Sequence, residues 1–130
     1  MTGARYLARF LNEKGVGQVF DYPGNSLLSI YPALREAGIA HRTARSESGA
    51  IFAASGVSRS GAGIGVCFAT SGPGATNLVT GLADAMLDSV PLIAFTGQVS
   101  TSVIGQDAFQ EADLLGITLP ITKHNFLVKD

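Results

Sequence analysis

Residues 42–59, RTARSESGAIFAASGVSR, carry one acid, Glu47, at the head of a small and apolar segment, with Ser46, Ser48, Ser55 and Ser58 around it. A carboxylate in that position has two readings. It can be an ordinary acid of a first helical turn, favoured by the helix dipole and paired at the surface with Arg42 or Arg45. It can also do proton chemistry. The following GAIFAASG has almost no polar surface, so the helix must bury against a sheet or another subunit. A carboxylate drawn into such surroundings pays desolvation for its charge and can hold or donate a proton. A second stretch, TSGPGATN at 70–77, is a Gly-Pro-Gly turn opening a helix, with Thr76 and Asn77 in its first turn. Its glycines would let a flat ligand approach the backbone, and a helix N-terminus favours negative charge. The same residues would also serve as a plain strand-to-helix turn.

Other chemistries find little support. Cys67 lies in the apolar run GIGVCFAT and reads as a buried core thiol. His41 and His124 are far apart and read as structural or surface residues, not metal ligands. GAGIG at 61–65 precedes a strand, where a dinucleotide fingerprint must follow one, and G-x-G-x-x-G is absent. There is no Walker motif, C-x-x-C or H-E-x-x-H. Nine basic and ten acidic residues leave a net charge of -1, which argues against nucleic acid or an anionic membrane as partner. No apolar run has the length of a membrane span, and MTGARYLARFLNEKG is amphipathic without a cleavage signal. A cytoplasmic protein is expected.

These residues need a frame. The 130 residues are enough for one domain, 1–130, with a core that needs no staples. Thr2 is an N-cap, Ala4, Leu7, Ala8 and Leu11 recur at helical spacing, and Gly15 stops the helix. GQVFDY is a strand broken by PGN. A second helix starts near Ser29, because Pro32 is tolerable only in a first turn, and ends at Gly38. IAHRTA is a short strand, followed by the helix of Glu47. GIGVCFAT is a buried strand, SGPGA a loop, and the next helix puts Leu78, Leu82, Ala85 and Met86 on one face. PLIAFTG is another buried strand. Residues 98–116 form a long polar loop leading into a short helix, and LPITKHNFLVKD is a weak final segment. Strands alternating with helices, and central strands that are continuous apolar runs, predict an α/β fold. The expected form is three-layered and doubly wound, a mostly parallel sheet with helices on both faces. Ligands of such folds bind at the carboxyl ends of the strands. Four loops fall there: 22–25, 44–48, 70–77 and 96–100.

Read together, these loops resemble the N-terminal pyrimidine-binding domain of the acetolactate (acetohydroxyacid) synthase family of thiamine-diphosphate enzymes, over the whole chain. VFDYPGN is similar to the family's V-F-x-Y-P-G-G. ARSESGAIFAASGVSR is similar to R-H-E-Q-G-x-x-F-A-A-E-G-Y-A-R. ATSGPGATNLVTGLADAMLDSVPLIAFTGQV is a nearly unbroken match, and IGQDAFQE and ITKHNFLV follow in order. The resemblance implies that Glu47 hydrogen-bonds N1′ of the cofactor's aminopyrimidine and so promotes loss of the thiazolium C2 proton. The cofactor then decarboxylates a 2-keto acid such as pyruvate and joins the remaining carbons to a second one. By the same resemblance Tyr22, Pro23 and Gly24 flank the pyrimidine ring, and Pro73, Gly74 and Asn77 close on it. Phe109 and Gln110 line the substrate side, and Lys123 stands near the substrate entrance. A core aromatic remains an alternative for Phe109, and a solvated surface lysine for Lys123.

The resemblance also implies what must come from elsewhere. Magnesium and the diphosphate belong to a domain with a G-D-G…N motif, which this chain does not contain. FAD contacts come from a middle domain of the full enzyme. A diphosphate-binding domain or chain is therefore an expected partner, as is a homo-oligomer through the pyrimidine-domain interface. Alone, the chain is expected to lack a complete site. The sequence departs from the family at Ser46 for His, Ser48 for Gln, Ser55 for Glu, Val57-Ser58 for Tyr-Ala and Asn25 for the second glycine of P-G-G. These positions cluster on the face that meets a second pyrimidine domain in the family, which predicts a rebuilt interface. Two alternatives stand beside the catalytic reading: a non-catalytic binding or assembly module of the same fold, and one half of a split keto-acid decarboxylase.

Overall fold

A computed structural model of the chain describes residues 1–129. Helix α1 (Gly3–Glu13) starts where Thr2 accepts the Arg5 N–H, buries Ala8 and Leu11, and ends ahead of Gly15, whose φ of 78° is open to glycine at no steric cost. Strand β1 (Gln18–Asp21) follows. The turn at 22–24 leads through a short 3₁₀ turn, Asn25–Leu27, into α2 (Ile30–Glu36). Pro32 falls in the first turn of α2, where an N–H has no intrahelical acceptor to lose. Then come β2 (Ala40–Thr43), α3 (Glu47–Arg59), β3 (Gly65–Ala69), α4 (Pro73–Thr76), α5 (Val79–Leu87), β4 (Leu92–Thr96) and α6 (Leu114–Thr118).

The four strands are parallel and ordered β2-β1-β3-β4. Strand β3 is buried along its whole length, and its alternation divides the core. Val66 and Phe68 join Val19, Leu11, Ile30 and Leu34 under α1 and α2. Cys67 and Ala69 join Ile51, Ala54 and Leu78 under α3 and α5. Helices therefore cover both faces, and the doubly wound α/β expectation holds. Burial pushes the Cys67 thiol up to about 12, which keeps it protonated at neutral pH, as expected of a core cysteine.

Three local expectations are corrected. Residues 71–77 are not a loop running into one continuous helix: α4 is a separate turn, and Asn77–Leu78 break the path before α5. Met86 is 46% exposed, not in the core. The buried arc of α5 runs through Leu78, Gly81 and Ala85, because Gly81 lets the helix close on Ile51: a Cβ there would lie 2.3 Å from Ile51 Cγ2. Strand β4 is only half-buried, since it ends the described sheet and has a neighbour on one side.

Candidate functional site

The strand order reverses between β1 and β3. The chain leaves β1 for β2 on one side, then returns to place β3 on the other. The loops leaving β1 and β3 must diverge there, and a crevice opens at their carboxyl ends. A cavity of about 330 Å³ occupies this point, lined by Tyr22, Pro23, Gly24 and Asn25 from the first loop and Thr70, Pro73, Gly74 and Asn77 from the second. Glu47 and Gln110 complete its wall.

Glu47 is the first residue of α3, and Ser46 caps that helix by accepting the Gly49 N–H at 3.1 Å. The carboxylate is nonetheless only 8% exposed. Among the described residues it takes part in no ion pair, so Arg42 and Arg45 do not neutralise it. Its Oε2 accepts the Asn77 side-chain N–H at 3.0 Å, and Ser48 donates to the Asn77 carbonyl at 2.9 Å. Oε1 has no hydrogen-bond partner among the described residues and lies 3.1 Å from where a Cβ on Gly74 would stand. The arrangement is a buried, uncompensated carboxylate with one oxygen committed and one free.

The glycines are spatial requirements. A Cβ on Gly24 would stand 2.3 Å from Thr70 Cβ, and one on Gly74 would stand 2.5 Å from Thr70 Cγ2. Gly72 has a φ of 54°, and a Cβ there would meet the Gln110 carbonyl oxygen at 2.3 Å. Gln110 itself has a φ of 59°, rare for a residue with a side chain. Glu111 holds that loop in shape: its carboxylate accepts the N–H groups of Gly105 and Ala108, which keep the carboxyl below the usual range.

Behind the first loop lies a polar network. Asp21, fully buried at the end of β1, accepts the Tyr31 hydroxyl at 2.7 Å and meets His41 Nε2 at 2.6 Å, while the Tyr31 and His41 rings stack at 4.7 Å. Burial and the Asp21 carboxylate raise the Tyr31 pKa. His41 therefore has a structural partner. Among the described residues no group of His, Cys, Asp and Glu could hold a metal ion.

The structure thus brings together eight of the ten anticipated site residues: Tyr22, Pro23, Gly24, Glu47, Pro73, Gly74, Asn77 and Gln110. Phe109, 89% exposed, and Lys123, also exposed, lie outside the cavity wall, so Phe109 is not a core aromatic. The role of Thr70 went unseen in the sequence. Its signal was its place immediately before Ser-Gly-Pro-Gly, but only the approach of two distant glycines shows what its side chain does. The serines that depart from the family pattern have internal partners. Ser55 is 2% exposed and accepts Arg59 Nε, whose guanidinium also reaches Asp84 and Asp88 on and after α5. Ser58 accepts the Gly65 N–H and donates to the Pro91 carbonyl.

A cavity at the switch point, with glycine-lined walls and one buried carboxylate, places the chain among α/β domains with a ligand-sized cleft at the carboxyl ends of their strands. Residues 1–117 match the family described as thiamine pyrophosphate enzyme, N-terminal TPP binding domain, and the chain belongs to that family. It is 54% identical over 129 residues to the acetolactate synthase isozyme 2 large subunit of Escherichia coli (strain K12), covering 99% of this chain and 24% of the relative. It is 55% identical over 129 residues to the acetolactate synthase of Mycobacterium avium, covering 98% of this chain and 21% of the relative. The chain therefore spans about a fifth to a quarter of the length of these relatives. No helix among the described residues is long and apolar enough to cross a membrane.

Proposed function

We propose that this chain supplies the aminopyrimidine half of a thiamine-diphosphate site in an acetolactate synthase-type enzyme acting on 2-keto acids such as pyruvate. The observation that carries the reading is Glu47: a carboxylate 8% exposed, in the wall of a cavity, and among the described residues in no ion pair and with one oxygen unbonded. The cavity suits the group. A flat heterocycle needs a slot and a proton-exchanging partner at its edge; the loops of Gly24 and Gly74 line such a slot, and Glu47 is in its wall. When bound, thiamine diphosphate supplies the carbon centre at which keto acids are decarboxylated and joined.

The chain's own residues would divide the work. Glu47 would hold a ring nitrogen through its free oxygen and share a proton with it, while Asn77 fixes the other oxygen and so the direction of the carboxylate. Low exposure strengthens that bond by removing competing water. Tyr22, Pro23 and Gly24 form one wall, and Pro73 and Gly74 the other. Gln110, at the cavity edge, faces the substrate side, and Phe109 and Lys123 would complete that side once a partner covers them. The diphosphate and its magnesium would be held by a diphosphate-binding domain or chain, FAD by a further domain of the full enzyme, and a second pyrimidine domain would pair with this one in a cytoplasmic homo-oligomer. The exposure of Phe109, and of Tyr22 at 43%, supports a half-site that something else closes.

Calorimetric titration with thiamine diphosphate and magnesium, with and without a diphosphate-binding partner chain, tests the proposal. Binding is expected with the partner. Its absence in both cases would refute the catalytic reading and favour a non-catalytic module. In the complex, Glu47→Gln is expected to lower exchange of the cofactor's C2 proton by about 10²-fold or more, the ordinary contribution of a positioned general acid-base, with the fold intact by circular dichroism. Unchanged exchange would remove Glu47 from the proton relay.

A further inference from the structure

We infer that Ser26 is a positioning residue for this site, acting through Thr70; the inference rests on the function proposed above. Loops leave the carboxyl end of the sheet from β1, β3 and β4, the first two lining the cavity, and one hydroxyl in the first meets the other two. Ser26 Oγ lies 2.9 Å from Thr70 Oγ1 and accepts the Ser71 N–H at 3.3 Å. It also occupies the space over Gly97, where a Cβ would stand only 1.8 Å away. Gly97 is in turn tied to β3 by its N–H to the Ala69 carbonyl, 2.8 Å. The hydroxyl of this exposed serine thus joins the loops that follow three strands.

Its consequence reaches the cavity through Thr70. With Oγ1 held by Ser26, Thr70 has one side-chain rotamer, and its carbon atoms stand against Gly24 on one wall and Gly74 on the other. Gly74 is the residue beside the free oxygen of Glu47. The path from Ser26 to Thr70 to the two glycines therefore sets the width of the slot into which Glu47 points. Without the bond, Thr70 can turn about its Cα–Cβ axis; its Cβ stays against Gly24, but Cγ2 leaves Gly74, and the wall beside Glu47 loses its spacer. Ser26 touches no cavity surface itself, so its effect is on the geometry of the residues that do.

The test is a double-mutant cycle read as affinity for thiamine diphosphate with magnesium, in the complex with a diphosphate-binding partner chain. Ser26→Ala and Thr70→Val are each expected to weaken binding about threefold to tenfold, the range of one net hydrogen bond, and the double variant no more than the stronger single one. A merely structural role would lower the melting temperature and leave the dissociation constant unchanged. That result, or losses that multiply in the double variant, would overturn the inference. Amide exchange in the chain without cofactor gives a second readout: Ser26→Ala should speed exchange at Ser71, and unchanged exchange would sink the inference while leaving the proposed function standing. Failure of the unsubstituted chain to bind the cofactor would remove the proposed function, and this inference with it.

Discussion

Glu47 shows how one residue's environment changes its meaning. At the head of α3 the helix dipole accounts for an acid, but not for an acid that is buried and, among the described residues, in no ion pair. Asn77 satisfies one oxygen, and the cavity takes the other. Gly74 is the residue on which this geometry is most sensitive. Gly74→Ala would place a Cβ 2.5 Å from Thr70 Cγ2 and 3.1 Å from Glu47 Oε1. The variant is expected to lose about 1–3 kcal/mol of stability from overpacking, measured by urea unfolding, and to lose cofactor binding by more than that loss explains. An alanine that left both unchanged would show that the turn yields and that the glycine is not a spacer. At this scale the acid, the glycines and Asn77 could be named as candidates from the sequence, by type and by resemblance. It could not show that Asn77 bonds Glu47, 30 residues away, because only the meeting of the β3 loop with α3 creates that contact.

The elements owe their positions to a few close approaches. Helices α3 and α5 pack on the same face, with Gly81 set against Ile51. Gly81→Ala is expected to destabilise by about 1–3 kcal/mol, since its Cβ would come 2.3 Å from Ile51 Cγ2. Combined with Ile51→Ala, which itself leaves a cavity, the two losses should be less than additive, because each change relieves the other. Full additivity in thermal unfolding would show that the helices touch elsewhere. Arg59 adds a polar tie, reaching Asp84 and Asp88, but these side chains are about half exposed and contribute little. Helix α1 was legible because its faces differ in polarity, and β3 because it is a continuous apolar run of strand length. The break at Asn77–Leu78 and the packing of α5 through Gly81 were not: Asn77 meets Glu47 and Gly81 meets Ile51, and contacts between residues so far apart leave no local pattern.

For the whole molecule, pH links a buried network to stability. The Tyr31 pKa is raised in the folded state by burial and by the Asp21 carboxylate it bonds. Unfolded, the phenol ionises at its ordinary value of 10.0. Below that pH both states keep the proton and the contribution is complete. Above it only the unfolded chain gives the proton up, so stability falls as pH rises through the folded value. Denaturant unfolding between about pH 8 and pH 11 should show this decline, and Tyr31→Phe should flatten it while lowering stability near pH 8 by about 1–3 kcal/mol, because Asp21 loses a donor. An equally steep decline in the variant would assign it to another group. The sequence by itself determined the strand and helix alternation, the parallel sheet and the set of carboxyl-end loops, since these follow from the period and length of apolar runs. The tertiary structure decided which loops share a cavity, that Glu47 is buried with no ion pair among the described residues, and that Thr70 stands between two glycines. Those depend on the strand order β2-β1-β3-β4, which brings residues 22–25, 47 and 70–77 to one switch point, and no local sequence pattern encodes a distance between them.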